Sequence, residues 1–121
     1  MIVGTGCDLI EIGRMAKACS RESFLKRVFT EKERELISGK WDVAAGNWCV
    51  KEAVAKCFGT GFGKACSPSE IETLRDELGK PYVNLYGKAK ETAEHLQIDA
   101  IHVSISDSRE LAMAFAVAER V

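Results

Sequence analysis

The 121-residue sequence has little of what builds a disulfide or zinc scaffold. Its five cysteines (Cys7, Cys19, Cys49, Cys57 and Cys66) are an odd number at irregular spacing without a CxxC pair, and only two histidines accompany them. Neither a disulfide framework nor a structural zinc site is expected from that set. Cys7, Cys49 and Cys57 lie in apolar runs, where a free thiol packs as a small hydrophobe. Reduced thiols fit a cytoplasmic protein. The only two prolines are Pro68 and Pro81, and no repeat, low-complexity segment or Pro/Gly/Ser linker divides the chain. One domain over residues 1–121 is the expectation, since domains typically run to ~100–150 residues. An excess of one charge is also missing: 17 Lys plus Arg against 18 Asp plus Glu leave a net charge of -1. That excludes a general basic field for nucleic acid or an anionic membrane, so any anionic partner must be held locally. No basic stripe with interleaved aromatics points to a nucleic-acid binder. Apolar runs such as Leu111 to Ala118 are far shorter than the ~20 residues of a membrane span, and no basic segment opens a signal-like N-terminus. Neither a membrane nor export is expected.

The patterning that is present predicts an α+β fold, an antiparallel sheet packed with helices. Met1–Cys7 is short, apolar and glycine-containing, and predicts a buried strand ending at Asp8, with helical spacing from Leu9 to Cys19. A short helix over Arg21–Val28 follows. Thr30-Glu31-Lys32-Glu33 fits a capping box that starts another helix at Glu31, ended by Ser38-Gly39. The longest helix should run from Trp41 to Phe58, with Gly59 as its left-handed stop. Trp41, Ala44, Ala45, Trp48 and Ala55 share one side of it, and Val43, Val50, Val54 and Cys57 the other. A helix apolar on two sides is buried on both, and Glu52 projects from the Trp/Ala side. Strands at Glu70–Leu74 and Tyr82–Tyr86 flank the turn Asp76–Pro81, and a helix is expected at Lys88–Leu96. Two closing strands hold Ile101, Val103 and Ile105, then Leu111 to Ala118, joined by the polar turn Asp107–Glu110. In the last strand Leu111, Met113, Phe115 and Val117 face one way and alanines the other. Both faces should be buried, which a chain of this length does not readily supply, so a homo-oligomer is expected.

Three groups of residues can carry chemistry. Asp8 at the end of an apolar strand and Glu52 on an apolar helix face are costly carboxylates unless paired or metal-bound. Two carboxylates with water and phosphate oxygens suit Mg²⁺. The alternatives are an N-cap role for Asp8 and an i,i+4 ion pair from Glu52 to Lys56. Lys56 precedes the cluster Gly59-Thr60-Gly61-Phe62-Gly63, where glycines let the backbone approach a phosphate, although the spacing is neither a P-loop nor a dinucleotide fingerprint. Arg14, Lys17, Arg21, Lys26 and Arg27 form a basic set over the first helices, either a solvated face or a receptor for an acidic protein. His95 and His102 have no evident partner.

The segments Gly4-Thr5-Gly6-Cys7-Asp8-Leu9-Ile10-Glu11-Ile12-Gly13-Arg14, Trp48 to Gly61 with its KEAxxKxxGTG motif, and His102-Val103-Ser104-Ile105-Ser106 together resemble the holo-acyl-carrier-protein synthase family, the stand-alone 4'-phosphopantetheinyl transferases. Leu78-Gly79-Lys80-Pro81 and the chain length extend the likeness over nearly the whole sequence. The resemblance implies an enzyme of lipid biosynthesis that moves the 4'-phosphopantetheine arm of coenzyme A to a serine of apo acyl carrier protein, releasing adenosine 3',5'-bisphosphate. It implies Asp8 and Glu52 as Mg²⁺ ligands and catalytic residues, Lys56 against the pyrophosphate, and the serine proton passing to Glu52 or to a water on the ion. Gly59, Thr60, Gly61, Ser106 and Asp107 would border coenzyme A. Arg14, Arg21 and Lys26 would meet the acidic carrier, and the assembly would be a trimer with sites at subunit boundaries.

Two positions depart from the family pattern. Asn47 stands where many members have Arg, and Asp107 where many have His, which bears on coenzyme A contacts. These two residues are the features that favour a different class of function, a non-catalytic module of the same fold that binds coenzyme A or a carrier protein without turnover.

Overall fold

The computed structural model describes all 121 residues. Strand β1 (Ile2–Glu11) leads into helices α1 (Ile12–Cys19), α2 (Glu22–Val28), α3 (Glu31–Ile37) and the long α4 (Trp41–Cys57). A glycine-rich loop and a short helical turn at Pro68–Glu70 precede the hairpin β2 (Ile71–Arg75) and β3 (Pro81–Leu85). Helix α5 (Gly87–His95) then leads to the closing hairpin β4 (Ala100–Asp107) and β5 (Leu111–Glu119). The α+β reading stands: one antiparallel sheet has the order β1-β5-β4, and β2-β3 forms a separate antiparallel pair.

The expected boundary between the first strand and the first helix is corrected. The strand continues through Asp8 to Glu11, and α1 begins at Ile12 instead of Leu9. Pairing decides this: β1 is matched to β5 without a break from Gly4 opposite Ala118 to Glu11 opposite Leu111, and that ladder outweighs the helical spacing of a few apolar residues. Elsewhere the local signals hold. Thr30 and Glu33 make the reciprocal capping box, and Gly59 closes α4 at a φ of 88°. Asp76 Oδ1 accepts from the Leu78 and Lys80 amides in the β2–β3 turn.

Helix α4 lies across one face of the larger sheet, and small residues let it approach. Ala112, Ala114, Ala116 and Ala118 of β5 are buried beneath it. The thiols of Cys49 and Cys57 donate to the Ala112 and Ala116 carbonyls at 3.4 and 3.6 Å. A Cβ on Gly4 or Gly6 would collide with the carbonyl oxygen of Cys57 or Ala53, so the GTG of β1 permits its contact with α4. The core continues around the N-terminal half of the helix, where Met15, Cys19, Phe24, Val28, Phe29 and Ile37 of the preceding segments cluster with Ala44, Ala45 and Ala112.

The expectation that both faces of the last strand are covered fails within one chain. The alanine face is covered by this chain's own α4, and the face with large side chains is open: Leu9, Met113 and Phe115 are 60%, 43% and 46% exposed. Registration makes this a continuous patch, because Leu9 pairs with Met113 and Cys7 with Phe115.

Candidate active site

Asp8 and Glu52 come from opposite sides of the fold's closest packing. Asp8 is opposite Ala114, so it shares the sheet face that α4 covers. Glycines at 4 and 6 bring β1 against α4 where Glu52 leaves the helix. The stripe Trp48, Glu52 and Lys56, at i, i+4 and i+8, is only partly covered by neighbouring elements, whereas residues on either side of it are buried. Glu52 is half-buried, and desolvation followed by repulsion from Asp8 raises its pKa, with Lys56 opposing.

The geometry discards both simpler roles. Asp8 is not an N-cap, because α1 starts after Glu11. Lys56 does not pair with Glu52; its Nζ donates to the Cys7 carbonyl at 2.7 Å and lies 3.7 Å from Asp8 Oδ1. About half of the Lys56 side chain is exposed, leaving ammonium protons free for an external anion. Cys49 lies near the carboxylates but is inert: burial, reinforced by Asp8 and Glu52, pushes its thiol up to about 12.

The donor set fits a hard divalent cation. Two carboxylates lie within electrostatic reach of each other with the Lys56 ammonium against Asp8, and no group of three His, Cys, Asp or Glu forms a chelating cluster. Such a site supplies two oxygens and leaves the remaining positions to water and substrate, as Mg²⁺ prefers.

Beyond Lys56 the chain turns through Gly59, Gly61 and Gly63, all at positive φ. Their amides are committed to the carbonyls of Lys56, Ala55 and Cys66, so these glycines shape the loop. Thr60 is exposed at its outer edge. Ser106 and Asp107 are not brought to the carboxylates: Ser106 pairs with Met113 on the open sheet face, and Asp107 pairs with Ala112 at the strand's end. Arg14, Lys17, Ser20 and Arg21 line an open surface depression beside α1. Lys26 stands apart on α2, engaged with Glu22 at 3.1 Å. His102 does have a partner, Glu119 at 3.0 Å.

Asn47 is corrected as well. It is fully buried, donating to Glu33 Oε2 at 3.1 Å and to the Thr73 carbonyl at 2.9 Å, so it faces no external anion. The same cluster holds the residue that opens the KEAxxKxxGTG motif and to which the sequence reading gives no role: Lys51, fully enclosed, with Nζ 2.7 Å from Glu33 Oε1. Burial pushes Glu33 up and Lys51 down from their ordinary values, and the attraction within the pair opposes both shifts. Its sequence signal is position, since Ala44, Asn47 and Val54 share its side of α4.

Residues 4–116 match the model of the 4'-phosphopantetheinyl transferase superfamily. The chain is 52% identical over 119 residues to the holo-[acyl-carrier-protein] synthase of Lachnoclostridium phytofermentans, covering 98% of this chain and 97% of that one. Among solved structures it superposes on the holo-(acyl-carrier-protein) synthase of Bacillus anthracis in complex with CoA (3',5'-ADP) with a TM-score of 0.84 at 36% identity, covering 100% and 99% of the two chains. The Neisseria meningitidis holo-[acyl-carrier-protein] synthase gives a TM-score of 0.89 at 30% identity over 99% and 100%. With that fold and this site, the chain belongs to the 4'-phosphopantetheinyl transferase superfamily.

Proposed function

We propose that the protein is a holo-acyl-carrier-protein synthase, a single transferase domain over residues 1–121 that moves 4'-phosphopantetheine from coenzyme A to a serine hydroxyl of an apo acyl carrier protein. The observation that carries this reading is the convergence of Asp8, Glu52 and Lys56 on the partly open stripe of α4, ahead of the glycine loop. The serine Oγ–phosphorus bond forms as the bond from that phosphorus to the bridging pyrophosphate oxygen breaks, and adenosine 3',5'-bisphosphate leaves. The serine proton would pass to Glu52 or to a water beside it in the partly open stripe. Lys56, held by the Cys7 carbonyl, directs its remaining protons to the pyrophosphate and balances the charge of the leaving group. Asp8 and Glu52 would hold Mg²⁺, which when bound supplies charge neutralisation at the pyrophosphate.

The remaining parts of the site follow from what one chain leaves open. The exposed stripe Leu9, Leu111, Met113 and Phe115 supports burial against further copies in a homotrimer. Ser106, on that same open face, would then lie at a boundary where it borders coenzyme A bound to a neighbouring copy, with Asp107, Gly59, Thr60 and Gly61 forming other parts of the wall. Arg14 and Arg21, with Lys26 beyond them, would receive the acidic carrier, speeding association in a salt-sensitive way. No helix is long and apolar enough to cross a membrane, and a cytoplasmic location accords with free cysteines.

The test is to incubate the protein with coenzyme A, Mg²⁺ and an apo carrier protein, and to follow carrier mass together with released nucleotide. Equal yields of holo carrier and adenosine 3',5'-bisphosphate, abolished by a chelator, support the enzyme. Binding without any mass change would establish the non-catalytic module instead.

A further inference from the structure

Lys51 is next in sequence to Glu52 yet faces the closed side of α4, against α3 and β2. Its ammonium meets one acceptor for each of its protons: Glu33 Oε1 at 2.7 Å, the Pro68 carbonyl at 2.8 Å and the Ile71 carbonyl at 2.8 Å. Two of these acceptors belong to the segment in which the glycine loop after α4 rejoins the core. The start of that loop is fixed by the helix itself, through the Gly59 amide on the Lys56 carbonyl. Midway it is held by the Gly63 amide on the Cys66 carbonyl and by the Thr92 hydroxyl on the Ala65 carbonyl. The return at Pro68 is tied to α4 by Lys51.

A need for charge balance at Glu33 does not account for this arrangement. Glu33 also accepts from the Thr30 amide and from Asn47, whereas an ion pair alone would not require Lys51 to engage two backbone carbonyls beyond it. The additional bonds join the loop's exit to the same helix that carries Glu52 and Lys56.

We infer that Lys51 is a positioning residue for the loop at 58–67: by clamping Pro68 and Ile71 onto α4 it fixes the wall against which coenzyme A binds. The inference rests on the transferase reading for its substrate, and it concerns a residue that touches no substrate itself.

The test uses two full-length variants. E33L/K51M replaces the ion pair by apolar side chains, an exchange that buried pairs often tolerate, and removes the clamp. E33Q weakens the charge pairing and leaves Lys51 free to hold both carbonyls. Loss of bonds from a charged donor at the loop's root predicts a rise of ~10-fold in KM for coenzyme A in E33L/K51M. The kcat at saturating coenzyme A should remain close to wild type, because Glu52 and Lys56 are untouched. Hydrogen exchange of the Gly61 and Gly63 amides should accelerate in E33L/K51M without coenzyme A present, and E33Q should match wild type in both KM and exchange. A folded E33L/K51M with wild-type KM and exchange overturns the inference, as does an E33Q whose KM rises equally. Should E33L/K51M not fold, E33Q/K51Q takes its place: a KM for coenzyme A raised above that of E33Q with faster Gly61 and Gly63 exchange supports the clamp, and E33Q-like values for both overturn it. A wild-type protein that transfers nothing would instead defeat the transferase reading, which is a separate result.

Discussion

Two charged clusters occupy different sides of α4 and are built to opposite rules. Against α3 and β2, Lys51 and Glu33 are fully enclosed, opposite in sign, and supplied with a partner for every ammonium proton. Toward β1, Asp8 and Glu52 are like charges set side by side, with one Lys56 ammonium partly committed to a backbone carbonyl. The first arrangement is complete without any ligand. The second leaves negative charge in a half-buried place, which the fold has no reason to assemble for stability alone. Charge left uncompensated beside an open stripe is what distinguishes the proposed binding centre from the structural ion pair.

The largest expected effect on stability is at the closed cluster. K51M leaves Glu33 buried without its counter-charge and should cost about 3–5 kcal/mol, read as a lowered midpoint in urea. A K51M protein as stable as wild type would erase the distinction between the clusters. The packing that joins β1 to α4 comes next. G6A forces a methyl group onto the Ala53 carbonyl, and overpacking of this kind costs about 1–3 kcal/mol. Because the same contact sets Asp8 beside Glu52, transfer activity should fall at temperatures where G6A is still folded; unaffected activity would separate the glycines from the site.

Titration sharpens the contrast between carboxylates. Glu72 is desolvated, but donors from Thr30, Asn84 and Tyr86 outweigh that and bring its pKa below the ordinary value. Its contribution is therefore present above the unfolded-state value near ~4.3 and lost as pH falls through the lower folded value. E72Q should be about 1–3 kcal/mol less stable than wild type at neutral pH, with the difference closing on acidification. Glu52 has the opposite sign. Its raised pKa means that stability from the protonated form is present below the ordinary value and lost as pH rises through the folded one. At neutral pH without divalent cations, E52Q should melt no lower than wild type, and a marked drop would show that Glu52 is structural. The smallest effect belongs to Lys26, whose exposed pair with Glu22 should contribute no more than ~1 kcal/mol. K26A should leave melting nearly unchanged while weakening the salt dependence of carrier-protein association.

Much of the fold and of the site is legible in the amino-acid sequence because the signals are local. The capping box at Thr30, the stop at Gly59, the alternation in β5 and the stripe position of Glu52 each depend on a few neighbouring residues. The features that are not legible there depend on contacts distant in sequence. Whether Leu9 to Glu11 is strand or helix is decided by a ladder with residues 111–113. Which face of β5 is free is decided by α4, which takes the alanines because they admit a close helix. Asn47 and Lys51 are polar points on a helix by pattern; their burial is set by Glu33 and by the carbonyls of Pro68, Ile71 and Thr73.

The open cluster is the proposed transfer centre, and carrier-protein mass reads that directly. Wild type, E33Q and E52Q are each incubated with coenzyme A, Mg²⁺ and apo acyl carrier protein under conditions where all three are folded. Wild type and E33Q should add the phosphopantetheine mass, and E52Q should be slower by at least ~10²–10³-fold. Near-wild-type conversion by E52Q, with E33Q inactive, would contradict the assignment of the two clusters.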